Sequence, residues 1–592
     1  MASEEKVDRR TALKAIGAGV VGVVVGLAGG YAWGSTAAPA KTETVTSTVT
    51  APGAAATVTK TVTAPGAPGA ATTVTVEKTV TSTKTVTPTL EVPKLAKIPL
   101  LPPGVRNPWL YEKCAGAKVA MMVDSFAGRI IEWYADLLKE EIGVEIGTTK
   151  LVDIPMVRDE AMSLLDANSK DYPLIMVNPN FLPDFVLTGK VECLDPYFDM
   201  FYGVEDYFRE LIPIYRFYMT YQGKYYAIPF DGDVHLWNYL EPFYTKEEFR
   251  TAFKEWHPER KPLRAPPETW EEWLDQCKFF AEKVLPDDKT IPGAEVLWPT
   301  MIWAKPDWSW GFYMNFAASY GVNYWDKEMT TPLYPQDKAA EALEMLQKFV
   351  PYMPEGVESF GSAETVEYWC GGKVISQIWW IDINEWGQVD PVKGYLRNGL
   401  MPGHYDPETG KVVHRAMTPY NRYWIIPNYL DDKTKLAAFY VAFHVSHWHY
   451  SIWSCADMDC GMDPYMWIHM LPPGAECYMK ANPYKKPSDE WPHKGSLFPS
   501  YEDALLHLEG GRRNLEVAFP MPCIPGMSEY ADALGREVQQ VIGGKDPKQA
   551  ISDAAAAWED IRDKYMGILG KEKYVGIWKD FCNRMVELGL FR

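Results

Sequence analysis

The chain has 592 residues, 47% hydrophobic, 14% aromatic and 23% charged, a globular composition with room for several folded units. Lys plus Arg number 59 against 78 Asp plus Glu, and a formal charge of −19 argues against nucleic acid or an anionic membrane surface as the main partner. The 23 Trp and 34 Tyr exceed ordinary core needs and point to flat, stackable ligands. The nine Cys are scattered without a CxxC pair, which excludes a zinc ribbon and a thioredoxin-type motif.

Residues 1–40 read as an export signal or membrane anchor. Asp8-Arg9-Arg10 precedes a Gly-rich apolar run from Ala15 to Trp33, and adjacent arginines before such a run fit the twin-arginine route. The run is about as long as the ~20 residues a bilayer needs, so cleavage after Ala38 or Ala40 and retention as an anchor both stay open. Gly17-Ala18-Gly19-Val20-Val21-Gly22 matches the dinucleotide fingerprint GxGxxG. It lacks the preceding strand and the acidic residue about 20 positions on, so no cofactor is assigned to it.

Residues 41–98 form a Thr/Val/Pro-rich low-complexity stalk. Thr44–Ala54 recurs as Thr57–Ala67, with Pro-Gly interruptions and no large apolar residue to bury a face. An O-glycosylated spacer and an undecorated linker are equally compatible with this composition.

The body, 99–592, opens with strand–helix alternation: apolar strands at Ala117–Val123, Val144–Ile154 and Leu174–Val177, and an amphipathic helix over Arg129–Glu141. This predicts an α/β fold with doubly wound sheets, whose ligands bind outside the carboxyl ends of the strands. Asp124–Phe126 and Asn178–Phe181 occupy those ends. Further helices are predicted from the capping box at Thr269–Glu272 and over Asp337–Phe349, Lys433–Phe443 and Lys548–Tyr565.

Four segments, in order, resemble the extracellular solute-binding proteins of carbohydrate ABC transporters, the maltose-binding class. They are Tyr225–Tyr239 (YYAIPFDGDVHLWNY), Pro267–Cys277 (PETWEEWLDQC), Phe360–Ile375 with its Gly371-Gly372-Lys373, and Phe519–Leu534 followed by Gly543-Gly544-Lys545. The resemblance implies a two-lobed periplasmic-binding-protein-like fold with hinge crossovers and a ligand cleft between lobes. It puts one lobe at about 110–235 and 376–450, the other at about 236–375 and 451–592, with much of the extra length in 450–515. It implies a small-molecule carbohydrate as ligand, ABC permease subunits as partners and an extracytoplasmic location, with the N-terminal segment at the membrane. No chemistry and no cofactor are implied.

A sugar cleft needs rings for pyranose faces and planar polar groups for hydroxyls. By the resemblance, Asp233 falls where the family carries an acidic contact, Asn180 aligns with another, and Trp379, Trp380 and Asp382 follow the return crossover near a stacking Trp. Asp231, Trp303, Trp308, Trp310 and the loop Tyr420-Asn421-Arg422-Tyr423-Trp424 complete the candidates, while Ala531 stands where the family has a stacking Trp. Cys455 and Cys460 are close enough in sequence for a local disulfide in an oxidising exterior. His444, His447 and His449 at a helix end read as packed or rim histidines ahead of a metal site, and a zinc site of His469 and Cys477 with Cys455 and Cys460 is likewise the lesser reading. An exported carbohydrate-active enzyme and a peptide-binding or structural surface protein are the alternative readings. GxSxG, HExxH and the P-loop pattern are absent from the sequence.

Overall fold

The computed structural model describes residues 57–62, 74–79, 97–127, 130–286, 291–458, 460–485 and 497–589. The export-signal reading of residues 1–40 lies outside them. Two compact units divide the chain at Leu95/Ala96. In the first, Thr57–Val62 pairs antiparallel with Val74–Thr79, so part of the Thr/Val repeat forms a two-stranded ladder.

The second unit is built on two sheets. Its principal strands in chain order are β1 (Met121–Asp124), β2 (Lys150–Val152), β3 (Leu174–Val177), β4 (Ile228–Asp231), β5 (Leu236–Leu240), β6 (Trp298–Met301), β7 (Val374–Trp379), β8 (Leu396–Gly399), β9 (Ala416–Thr418), β10 (Arg422–Ile425) and β11 (Ala518–Pro520). The first lobe carries a five-stranded sheet in the order β4-β10-β3-β1-β2. There β1 runs parallel to β2 and β3, and β10 is antiparallel to both of its neighbours. The second lobe carries β6-β7-β5-β8, with β6 parallel to β7 and the other pairs antiparallel. β1, β3, β4, β7 and β10 are buried on both faces, the pattern of sheets covered by helices on each side.

Residues 232–235 carry the chain from β4 in the first sheet to β5 in the second. The return lies later than the sequence reading placed it. β7 was assigned to the first lobe from 376 onward, but it pairs with β5 and β6 in the second sheet, and the chain re-enters the first sheet only at β10. Beside the return, β9 runs parallel to β11.

Local signals explain most helix boundaries. Thr269 caps Trp270–Phe279 by accepting from Glu272 N–H at 3.2 Å. The reciprocal half of the capping box is displaced by one residue, because Glu272 accepts from Glu268 N–H and pairs with Arg264. The helix predicted over Arg129–Glu141 is two short helices, Ile130–Trp133 and Ala135–Ile142. No helix of the described residues is long and apolar enough to cross a membrane.

The extra length after 450 does not belong to one lobe. Tyr450 donates to Glu141 of the first lobe at 2.7 Å, and Asn398 of β8 in the second lobe donates to the His507 carbonyl at 3.1 Å. Between these anchors Cys455 and Cys460 are thiols, which corrects the disulfide expectation: Cys455 Sγ donates to the Asp463 carbonyl and Cys460 Sγ to that of Ser454. Dithiothreitol is therefore expected to leave the melting temperature unchanged; a drop on reduction would show a bridge.

Candidate functional site

Asp124 ends β1, and its carboxylate organises the floor between the lobes. One oxygen accepts the Phe126 and Ala127 N–H groups at 2.8 Å each, capping the turn that follows the strand. The other accepts from Tyr420 OH at 2.9 Å and from Arg422 Nε at 2.5 Å. Arg422, the first residue of β10, also donates to Asp231 at the end of β4 and to the Gly461 carbonyl at 2.5 Å. Strand ends from one sheet thus converge on a single guanidinium, whose planar fork suits several oxygens at once.

The residues ahead of β10 take an unusual path. Tyr420 and Asn421 have φ of +77° and +54°, consecutive left-handed residues that cost about 1–3 kcal/mol each. A reciprocal bond holds them. Asp233 accepts from Asn421 N–H at 2.6 Å, while Asn421 Oδ1 accepts from Asp233 N–H at 2.9 Å. The outgoing and return crossings are therefore locked side chain to backbone in both directions.

Above this floor lies a small cavity of about 20 Å³. The second lobe gives it Trp303, Trp379, Trp380, Asp382 and Trp386; the first gives Phe126, Ile154 and Arg422; the crossings give Asp233 and Tyr420. Trp303 and Trp379 stack at 5.6 Å and 22°, and Trp380 stands steeply to both, 5.0 Å from Trp379 at 90° and 5.9 Å from Trp303 at 77°. Trp386 stacks on Phe126 at 5.0 Å across the two lobes. Their ring nitrogens are turned away where partners exist, Trp380 to the Pro419 carbonyl and Trp303 to Asp307, both at 2.9 Å. A wider mouth of about 420 Å³ adjoins it at Ile154, between Arg158, Asn178 and Phe181 on one side and Asp307, Trp308 and Ala531 on the other.

The later insertion closes the cavity from behind. Gly461 donates to the Phe126 carbonyl at 3.1 Å, and a Cβ there would stand 2.3 Å from Trp386 and 2.7 Å from Asp382. Only glycine lets the backbone pass that close. Asp463 follows and donates its N–H to Asp231 at 2.5 Å.

Burial dominates the electrostatics. It raises the carboxyls of Asp231, Asp233 and Asp463 above the ordinary range, Arg422 countering it at Asp231 and neighbouring carboxylates adding to it at Asp233 and Asp463. Asp382 is pushed up to about 7 by burial, with Arg422 lowering it and Asp231 and Asp124 raising it. Its Oδ1 has no hydrogen-bond partner. Glu385, one turn beyond, is raised well above the usual value by burial, against a hydrogen bond from Tyr478 at 2.6 Å.

The structure brings Asp233, Trp303, Trp379, Trp380, Asp382 and Tyr420 to one cavity and Trp308 to its mouth. It places the remaining candidates elsewhere. Asp231 and Asn421 lie beneath the cavity, holding Arg422 and Asp233. Asn180 is fully buried with both side-chain atoms unpartnered, and its neighbours Asn178 and Phe181 face the mouth instead. Trp310 is buried in the helix Pro306–Ser319. Tyr423 donates to the Tyr215 carbonyl at 2.7 Å, and Trp424 stacks on Phe230 at 4.1 Å; both are first-lobe core, because β10 is covered on both faces. His444 lies 3.1 Å from Glu141 in that core, and His469 meets Ser451 at 2.9 Å. Arg422, a candidate as part of the loop 420–424, is the residue on which the floor converges, whereas Trp386 and Asp463 were missed as site residues.

Two α/β lobes joined by crossing segments, with an aromatic and acidic cavity between them, define the two-lobed solute-binding-protein fold. Solved structures share it. A T. maritima protein, MalE3, solved with maltose, has a TM-score of 0.55 at 16% identity over 75% of this chain and 99% of its own. An ABC transporter solute-binding protein from Agrobacterium radiobacter K84, in complex with ribitol, has a TM-score of 0.57 at 15% identity over 76% and 99%. One from Thermotoga lettingae TMO, bound with α-D-tagatose, has 0.55 at 16% over 76% and 99%. No family model and no curated protein matches the sequence.

Proposed function

We propose that the protein captures a carbohydrate-sized solute between its lobes outside the cytoplasm and hands it to an ABC permease, holding the solute without transforming it. The observation that carries this reading is the interlobe cavity, where rings from the second lobe face Arg422 and Asp233 at the crossings. Lobe closure over such a cavity couples binding to a change of shape that a permease can read. The solved proteins of this fold with maltose, ribitol and α-D-tagatose support the same reading. Trp379, Trp380, Trp303 and Tyr420 are the proposed ring contacts, and Asp233 and Asp382 the proposed polar ones. At about 20 Å³ the deep cavity has room for about one water in this closed arrangement, so a solute enters it only as the lobes part, and the adjoining mouth of about 420 Å³ is the solute-sized space. The N-terminal segment is proposed to export and tether the protein, with the Thr-rich stretch as spacer.

Intrinsic fluorescence tests the proposal, because four tryptophans line the cavity. The full chain titrated with hexoses, pentitols, hexitols, disaccharides and amino sugars is expected to give a saturable change with at least one of them, accompanied by a raised melting temperature. No response in either measurement to the whole panel would overturn the carbohydrate reading.

A further inference from the structure

After its return to the first lobe the chain passes to the second lobe once more, and this passage carries a core of its own. Its early part, residues 448–466, is fixed to the first lobe. Tyr134 and Ser454 share a hydrogen bond at 2.8 Å, and Ile212 N–H donates to the Tyr465 carbonyl at 3.1 Å. A Cβ at Gly232 would stand 2.5 Å from Tyr465, so the outgoing crossing lies directly against this stretch. The later part, the helix Tyr501–Leu515, is fixed to the second lobe. Arg397 of β8 pairs with Asp503 at 3.0 Å, and Asn514 donates to the Gly399 carbonyl at 3.0 Å while accepting from Met401 N–H at 2.9 Å.

Between these two anchored parts runs an apolar seam, distinct from the main core. The first-lobe side gives it Ile452, Ala456 and Met458, the second-lobe side gives Ala504 and Leu508, and Tyr478 is buried among them. The Tyr478 hydroxyl lies 2.6 Å from Glu385, which belongs to the second lobe, and 2.8 Å from the Cys455 carbonyl on the first-lobe side. One hydroxyl proton serves one acceptor at a time. Burial raises the Glu385 carboxyl well above its ordinary range, and in its protonated form Glu385 donates to the hydroxyl while the hydroxyl donates to Cys455, so both bonds form together. The two sides of the seam are fixed to different lobes, so parting the lobes shears it.

We propose that the seam around Tyr478 is a latch on lobe closure, which keeps the empty protein mostly shut and sets how often the lobes part to admit a solute. The inference goes beyond solute capture, because it concerns the closing equilibrium of the empty protein whatever the solute is.

Hydrogen–deuterium exchange of the full chain without solute tests it. Gly526, at the start of the second-lobe helix Met527–Ile542, donates its N–H to Asp184 of the first lobe at 2.8 Å, so its exchange reports parting of the lobes. Tyr478→Phe keeps the ring and removes the hydroxyl, and is expected to speed exchange at Gly526 roughly fivefold. Exchange in β3 and β5 is expected to stay unchanged, since each lies inside one lobe. The control is Tyr423→Phe, which removes a hydroxyl bond of 2.7 Å lying wholly within the first lobe and should leave Gly526 unchanged. Unaltered exchange at Gly526 in Tyr478→Phe would overturn the inference. Equal acceleration in β3 and β5 would overturn it too, as the mark of a general loss of stability, and so would equal acceleration at Gly526 in Tyr423→Phe. With no solute present, none of these outcomes touches the solute-capture reading.

Discussion

Replacing Arg422 by Met is expected to destabilise the protein by about 3–5 kcal/mol at pH 7, because the change leaves buried carboxylates without their only cation. The side chain is 4% exposed and touches two acids and a carbonyl, so its removal strands buried acceptors. Asp124 and Asp231 would lose the one cation that opposes their burial and keep only neutral hydrogen-bond donors, and a folded-state pKa already raised at Asp231 would rise further. The sign of the pH effect follows. A carboxyl whose pKa is higher folded than unfolded binds more protons in the folded state, so stability falls as pH rises through that window. The variant should therefore be least damaged near pH 4 and most damaged at neutral pH, and Asp231→Asn in the same chain should restore part of the loss. Denaturant unfolding of the three proteins at pH 4 and 7 measures this. A loss below about 1 kcal/mol at pH 7 would mean that the cluster is already protonated and that Arg422 is dispensable.

How much of this was legible beforehand depends on what each residue needed. The strand Leu174–Val177 and the Thr269 cap are local facts, written in apolar runs and a hydroxyl three residues before its amide, and the structure has them within a residue or two. The residues after strand ends, Asp124–Phe126 and Asn178–Phe181, could be singled out by a topological rule that needs no partner, and Phe126, Asn178 and Phe181 do face the cavity or its mouth. The return crossing was harder. Val374–Trp379 is mostly apolar and fits either sheet, and only its pairing with β5 and β6 assigns it to the second lobe. Tyr423 and Trp424 illustrate the limit of composition: a ring beside a crossing is as ready for core as for cleft, and the two-sided cover of β10 makes it core. Asp463 was beyond reach altogether, since it arrives from an insertion more than 200 residues from the Asp231 it contacts.

The second large effect has the opposite sign from the first. Asp382→Asn is expected to make the unliganded protein more stable at pH 7.5, by up to about 4 kcal/mol if burial lifts the carboxyl from 3.8 to about 7. Above pH 4 the unfolded chain holds Asp382 ionised at no cost, whereas the folded chain must either keep the proton or bury the charge. The groups set against it explain why neither is comfortable: Arg422 lowers its pKa, while Asp231, Asp124, Asp463 and Glu385 are acids in the same floor. The penalty grows from about pH 4 to pH 7 and then levels off, so wild type and variant should coincide near pH 4 and diverge above it. Comparing the two removes the contribution of the buried histidines, His235, His469 and His507, whose pKa values burial lowers to about 3 and which act in the reverse direction in both proteins. Unfolding curves at pH 4, 5.5 and 7.5 decide it; a variant less stable than wild type at pH 7.5 would show that Asp382 is a structural partner and not a charge held in reserve.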